Sequence, residues 1–416
     1  MIQSVRGTKD ILPGEIEKWQ FLEKKIREVT KKYSYNEIRT PIFEKTEVFS
    51  RSIGENTDIV NKEMYTFTDK GNESLTLRPE QTAALVRSVI QNNLTHEVST
   101  LRLWYFGPFF RYERPQKGRL RQFHQFGAEC IASPNPEADV EIILLADYLI
   151  KNLGIENYEI QINSLGNEAS RMVYKDELIK YLQTHKDELS FDSKNRLESN
   201  PLRILDSKDE GDIKIIENSP NILEYLDDES RLHFDKVIEL LKITGVKYNL
   251  QPRLVRGLDY YCHTVFEFKS SYLGAQDAFG GGGRYDGLFS QLGGKSTPAV
   301  GFAMGIERLL LILESINALK NINNNCDVYV VCGNEKIYNS AIVITEKLRH
   351  LGYNVATDIQ RRSFKAQMRE AGKLNAKFCV IIGEDEDLRN SVTIKNMHTG
   401  EQAEIKKELL STINFR

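Results

Sequence analysis

The chain has 416 residues, more than one ordinary hydrophobic core accommodates, so two or three domains are expected. Hydrophobic residues at 40% and charged residues at 28% exclude a disordered chain, and apolar runs such as the one ending in Leu309–Leu313 are too short to span a membrane. A net charge of -3 excludes bulk attraction to nucleic acid, so any such partner must be held by local patches. The five cysteines, Cys130, Cys262, Cys326, Cys332 and Cys379, contain no CxxC pair, which argues against a zinc site or a disulfide framework. With no apolar signal-peptide core in the first residues, the expected compartment is the reducing cytosol, that is, a cytoplasmic protein.

From residue 15 to 33, Ile16, Trp19, Phe21, Leu22, Ile26 and Val29 recur at helical spacing between Lys and Glu, which predicts an amphipathic helix. Residues 35–43 read as extended, since Pro41 disfavours helix at Thr40. Tyr65-Thr66-Phe67 and Leu75-Thr76-Leu77 flank the turn signal Asp69-Lys70-Gly71-Asn72, which predicts a hairpin. A helix follows, with Pro79 expected near its first turn and Ala83-Ala84-Leu85-Val86 inside it. Residues 101–111 and 122–129 are strand candidates on either side of a strongly basic segment.

Between roughly 170 and 250 charged residues dominate and helical patterns recur around Leu178, Leu182, Val237 and Leu241, the signature of a helical insertion. Strands resume at 254–255 and 264–268, followed by a glycine cluster and a helix from about 305 to 315. Asn321-Ile322-Asn323-Asn324-Asn325 is the polar linker at which the domain boundary falls. Beyond it the pattern is strand 328–331, helix 340–350, strand 353–356, helix 364–374 and strand 378–382. Two short strands and a last helix around 407–412 complete a small α/β unit.

The densest chemical signal runs from Phe110 to Glu129. A basic loop between antiparallel strands crowds Arg111, Arg114, Lys117, Arg119 and Arg121, whose repulsion a polyanion would relieve, and arginine's planar fork suits phosphate oxygens. A solvated hairpin tip is the plain alternative. Against it, Phe123, Gln125 and Glu129 alternate onto one face of the returning strand, placing a ring, an amide and a carboxylate where a structural face would be apolar.

Four further segments carry weaker signals. In Leu77-Arg78-Pro79-Glu80-Gln81-Thr82, a carboxylate and a hydroxyl at a strand-to-helix junction either grip an ammonium group or cap the helix. In Val255-Arg256-Gly257-Leu258-Asp259-Tyr260-Tyr261, Arg256 beside glycine can approach a ligand closely and the Tyr261 phenol can bond an imidazole or hydroxyl, although paired tyrosines are also ordinary packing. Gly280 to Gly287 offers backbone without side-chain walls that could cradle phosphate, with neither the P-loop nor the dinucleotide spacing. Gly301 to Arg308 leads from a small-residue strand into an apolar helix, where an early arginine is unfavourable unless it faces an anion or a π-system. None of the seven histidines forms a metal pair at i, i+4 or belongs to a serine or cysteine triad. The chemistry therefore reads as positioning plus electrostatics, as phosphoryl or nucleotidyl transfer requires.

These segments, in this order, resemble the class II aminoacyl-tRNA synthetases and, among them, the histidyl-tRNA synthetase family. The stretch around Pro41 is similar to motif 1, the dimer-forming element, Arg111–Glu129 to motif 2 and Gly301–Arg308 to motif 3. Arg256–Tyr261 and Gly282–Gly287 are similar to the two histidine-specific signatures, and Arg6–Asp10 is also like that family. The resemblance implies an α+β fold: an antiparallel sheet with flanking helices in residues 1–320, the helical insertion at about 170–250, and an anticodon-binding-like α/β domain in 326–416.

It further implies ATP-dependent activation of L-histidine to histidyl-adenylate, with Mg²⁺ bridging the outer phosphates, and transfer to tRNA(His) by a homodimer without a membrane partner. Arg111 is expected to hold the α-phosphate, Arg119 the outer phosphates, and Phe123 with Arg308 the adenine. Glu80 and Thr82 are expected to take the substrate ammonium, with Gln81 and Gln125 nearby. Glu129 and Tyr261 would bond the imidazole, Tyr260 and Tyr285 would complete that pocket, and Arg256 would lie near the carboxylate and α-phosphate. Arg111 and Arg256 are thus the expected catalytic cations. Arg114 and Gln116 would face the acceptor end of the tRNA, and Gln360-Arg361-Arg362 is a candidate anticodon contact. No residues are assigned to a protein-held metal.

Two rivals share the fold. Synthetase-like regulatory subunits of ATP phosphoribosyltransferase generally lose the C-terminal domain and erode the ligand set, whereas both are present here. RNA-sensing modules of this kind are fused to kinases, and no kinase segment accompanies this chain.

Overall fold

The computed structural model describes residues 2–415 apart from 55, 56, 58, 97, 275, 276, 321 and 323–325, so most of the asparagine linker lies outside the described residues. The chain divides into two compact units, residues 1–321 and 322–416.

Helix α1, Ile16–Lys32, buries Trp19, Leu22, Ile26 and Val29, the stripe that the spacing predicts. Strands β1 (Asn36–Glu37) and β2 (Phe43–Lys45) flank the extended stretch around Pro41 and are followed by α2 (Thr46–Ile53). The hairpin pairs β3 (Tyr65–Thr68) with β4 (Ser74–Leu77), and the Asp69 carboxylate closes its turn by accepting from the N–H groups of Gly71 and Glu73. The next helix, α3, spans Thr82–Gln91 and starts three residues beyond Pro79 rather than at it. Glu80 sets that start, its carboxylate accepting from the N–H groups of Thr82 at 2.6 Å and Ala83 at 2.9 Å.

Strands β5 (Leu101–Phe110) and β6 (Gln122–Ile131) pair antiparallel along their whole length. Helix α4 (Pro136–Asn152) and β7 (Glu159–Ser164) have no counterpart in the sequence expectations. Ala138, Val140, Ile142, Ile143, Leu145, Ala146, Leu149 and Ile150 bury nearly the full circumference of α4, which leaves no amphipathic stripe to recognise.

The insertion is helical as expected: α5 (Glu168–Thr184), α6 (Phe191–Ser199), α7 (Glu210–Ile216) and α8 (Asp228–Ile243), with side-chain caps at Asn167, Ser190, Asp209 and Asp227. Its Leu178, Leu182, Leu197 and Ile215 share one apolar cluster with Leu85, Tyr105 and Leu288 of the surrounding body. After the short β8 (Asn249–Leu250), residues 254–255 are not a strand, contrary to expectation. The Asn163 amide donates to the carbonyls of Pro252 and Leu254, both at 3.0 Å, and the Leu254 N–H donates back to Gln251, so both backbone groups of Leu254 are drawn away from a ladder.

Strands β9 (Cys262–Lys269), β10 (Ala278–Arg284) and β11 (Ala299–Gly305) complete an eight-stranded, mainly antiparallel sheet ordered β1-β5-β6-β11-β10-β9-β7-β8, with α9 (Leu288–Gln291) before β11 and α10 (Ile306–Ser315) after it. The glycine cluster is therefore a central strand and not a phosphate-cradling loop. A Cβ on Gly282 would collide with the carbonyl of Gly301 and the backbone of Phe302, so glycine lets two strands close up beneath the cavity described below.

The second unit contains β12 (Val328–Cys332), α11 (Tyr338–His350), β13 (Val355–Thr357), α12 (Phe364–Lys373), β14 (Phe378–Ile382), α13 (Glu384–Leu388), β15 (Ser391–Asn396) and β16 (Gln402–Lys406). Its sheet runs β13-β12-β14-β15-β16, with the first three strands parallel, around a core including Val328, Val330, Leu348 and Val380. The last element, Lys407–Thr412, is a 3₁₀ helix. No helix among the described residues is long and apolar enough to cross a membrane.

Candidate active site

Above β6, β11, β10 and β9 lies a cavity of about 280 Å³. Of the residues singled out from the sequence, Glu80, Gln81, Thr82, Arg111, Arg119, Phe123, Gln125, Glu129, Arg256, Tyr260, Tyr261 and Arg308 all line it. Three do not. Tyr285 is buried behind the wall, its hydroxyl donating to Glu129 at 2.6 Å, while Arg114 and Gln116 are exposed on the β5–β6 loop. In the second unit Gln360 is exposed, Arg361 is ion-paired with Glu335, and Arg362 pairs with Asp358 and Glu370.

The cavity's guanidinium groups are held one by one. Arg111 donates through Nε to the carbonyl of Pro79 at 2.9 Å and lies over the Phe123 ring at 5.3 Å. Arg119 pairs with Glu113, and Arg308 donates to the carbonyls of Gly118 and Ala278. Arg121 stacks on Tyr112 at 3.8 Å and donates to the Glu113 carbonyl. Part of the repulsion expected in the basic loop is thus relieved within the protein, by the Glu113 carboxylate, the carbonyls of Pro79 and Glu113, and the rings of Phe123 and Tyr112.

Arg256 donates from Nη1 to Glu267 Oε1 at 2.7 Å, while its Nε is buried without a hydrogen-bond partner. Burial works to lower its pKa, but the charge and hydrogen bond of Glu267, with the nearby Tyr261 phenol, leave it raised. Arg308 is instead lowered, chiefly by burial and then by the charge of Arg119.

Glu129 reaches the cavity because inward-facing positions alternate along β6. Its carboxylate, 1% exposed, accepts from the hydroxyls of Thr82 at 3.0 Å and Tyr285 at 2.6 Å. Burial pushes its pKa up to about 8; the bonds from Tyr285 and Thr82 pull it down, and the nearby Glu80 carboxylate pushes it up again. Glycine at 301 is what makes room, since a Cβ there would overlap the Glu129 carboxylate. Glu80 is likewise raised by burial, against the N–H groups of Ala83 and Thr82 that it caps. Glu80 therefore both caps α3 and lines the cavity. Gln81 Oε1 and Gln125 Oε1 are buried acceptors without partners, the kind of vacancy that a donor on a ligand fills.

Among the cavity residues that escaped the sequence reading are Tyr105, Glu113, Glu267 and Glu307. Tyr105 lies in an aromatic-rich strand with nothing to mark it, whereas Glu267, the one acid within Val265-Phe266-Glu267-Phe268, was a signal that could have been used.

An antiparallel floor that gathers arginines around a small polar cavity, in a chain that also carries a separate α/β unit, defines the class II aminoacyl-tRNA synthetases. The model of the histidyl-tRNA synthetase family matches residues 7–309, and that of an anticodon binding domain matches residues 327–413. A histidine–tRNA ligase of Microcystis aeruginosa is 50% identical over 99% of this chain and 96% of its own length, and one of Halothermothrix orenii is 49% identical over 97% and 96%. The crystal structure of apo Staphylococcus aureus histidyl-tRNA synthetase superposes with a TM-score of 0.85 at 38% identity, covering 100% of both chains. This chain belongs to the histidyl-tRNA synthetase family.

Proposed function

We propose that this cavity is where the chain, a histidine–tRNA ligase, activates L-histidine with ATP before transferring it to tRNA(His). Histidine occupies the enclosed end. Its ammonium group lies by Glu80, Gln81 and Thr82 with Gln125 at hand, and its imidazole lies between Glu129 and Tyr261, with Tyr260 alongside. Tyr285 acts from behind by holding Glu129, a positioning role rather than a contact with substrate. ATP occupies the other end, the α-phosphate on Arg111, the outer phosphates on Arg119, and the adenine between Phe123 and Arg308. The histidine carboxylate then attacks the α-phosphorus in line and pyrophosphate leaves.

The observation that carries this reading is the Arg256 guanidinium, fixed on one side by Glu267 with a buried Nε left to donate. A pre-oriented cation beside a phosphorus passing through five-coordination is worth about 10²–10³ in rate. At the same end Glu113 and Glu267 would be the hard oxygen donors to hold Mg²⁺, which, bound with ATP, would screen phosphate charge.

The test is histidine-dependent exchange of pyrophosphate into ATP. The chain should catalyse it, which a regulatory subunit would not, and unchanged exchange in Arg256→Ala would refute the assignment of that residue. We further place Arg114 and Gln116 against the acceptor end of the tRNA and a homodimer contact at Pro41–Lys45, where Ile42 and Phe43 are 44% and 52% exposed. Sedimentation across concentrations checks the dimer. The cytoplasm is the expected compartment, in keeping with five free thiols.

A further inference from the structure

A cluster of side chains behind the cavity has no part in the chemistry above. Where β9 begins, Cys262, His263 and Asp286 bring a thiol sulfur, a ring nitrogen and a carboxylate oxygen within 4.8 Å of one another. Neighbouring residues of a regular strand point to opposite faces, so Cys262 and His263 could not share a ligand in an ordinary ladder. Here the ladder is broken. Gly283 pairs with Val265 but the next residue, Arg284, pairs with Cys262, so His263 and Thr264 bulge out. His263 takes φ +46°, the left-handed region that a histidine seldom enters. Its N–H donates to the Gly166 carbonyl and its own carbonyl accepts from the Leu165 N–H, both at 2.8 Å, which pins the distortion in place. The Nδ1 of His263 is buried without a hydrogen-bond partner, next to a thiol and a carboxylate.

We infer that Cys262, His263 and Asp286 form a zinc-binding site, with water completing a tetrahedral set. Sulfur, imidazole nitrogen and carboxylate oxygen are the three donor types zinc accepts, and three protein ligands plus an open position is one of its usual arrangements. Bonds of 2.0–2.3 Å would set the donor atoms roughly 3.3–3.8 Å apart, so the widest separation closes by about 1 Å as zinc enters. Asp286 is already oriented, its Oδ1 accepting from the Ala299 N–H at 3.0 Å and Arg284 Nη1 at 3.3 Å. The positive charge of Arg284 is offset by its buried partner Asp139, which also lies 3.4 Å from His233 Nε2. Zinc binding would release the Cys262 thiol proton to solvent as the sulfur–zinc bond forms. The spacing, two adjacent residues and a third 24 positions on, matches no zinc motif, and for that reason the sequence argued against such a site.

The test is to strip the full-length protein with a chelator and titrate it with Zn²⁺ and, separately, with Co²⁺. One zinc per chain is expected, and cobalt should give a thiolate charge-transfer band with the intense visible bands of a tetrahedral ion. Cys262→Ser should abolish the charge-transfer band, and both it and His263→Asn, which keeps the left-handed backbone accessible, should weaken zinc binding at least about tenfold. Cys326→Ser, in the other unit, should change nothing. Absence of the cobalt band in the unmodified protein, or zinc uptake that Cys262→Ser leaves intact, would overturn the site. The first of these outcomes does not depend on any variant folding, and none depends on the reading of the cavity.

Discussion

The two ends of the cavity handle charge in opposite ways. At the arginine end each guanidinium is tethered to a carboxylate, a carbonyl or a ring, and, despite burial, the charge of Glu267 holds the half-buried Arg256 raised towards its cationic form. At the enclosed end burial wins over the hydrogen bonds, and Glu80 and Glu129 are both raised towards the protonated form. One end is thus built to meet fixed negative charge. The other offers a pattern of donors and acceptors, which suits a substrate told apart by its ring nitrogens rather than by its net charge.

The sharpest way to break this contrast is at Arg256. Arg256→Ala should slow histidine-dependent pyrophosphate exchange by about 10²–10³ while leaving the melting temperature within a few degrees of the parent. Glu267, left without its partner, keeps Lys269 at 3.7 Å and is not stranded. A loss under tenfold would mean that the arginine end does not stabilise the transition state.

The enclosed end should betray itself through pH. Glu129 moves from an ordinary 4.5 to about 8 on folding, so between those values the native chain keeps a proton that the unfolded chain sheds. Stability should therefore fall as pH rises from about 4.5 to 8, by at most roughly 1.4 kcal/mol per unit from this group, and level off above. Glu129→Gln should flatten that slope in urea titrations. Parallel slopes in the two proteins would show that burial does not control this carboxyl.

Both ends were partly legible because their residues stand out locally. Alternation along β6 put Phe123, Gln125 and Glu129 on one face. What stayed hidden depended on partners distant in sequence. Helix α4 is buried almost all round and gives no periodic signal; residues 254–255 lose their strand to the side chain of Asn163; and the helix after Pro79 begins only where the Glu80 carboxylate takes its first N–H groups. The glycine cluster reads as a loop until β9 and β11 are seen pressing on both sides of it.

A smaller effect is expected at Glu267, which touches Arg256 and which we take to orient it. Glu267→Gln keeps the shape and a hydrogen-bond acceptor but removes the charge. It should lower kcat for exchange about tenfold with little change in the KM for histidine, since the cation is loosened and not lost. A change in KM alone would make Glu267 a binding residue instead.

The smallest effect belongs to Arg114, on the same loop as Arg111 and Arg119 but exposed to solvent and outside the cavity. If the arginine end stops at the cavity wall, Arg114 serves the tRNA and not the nucleotide. Arg114→Ala should leave pyrophosphate exchange unchanged, since no part of that reaction reaches the outer loop. Aminoacylation should show a KM for tRNA raised a few-fold, roughly what one exposed phosphate contact contributes. The slope of log affinity against log salt should fall in magnitude by about 0.7–0.9, the signature of one phosphate no longer neutralised. A matching loss in exchange would extend the nucleotide end out to the loop tip and erase the boundary between catalytic and tRNA-facing arginines.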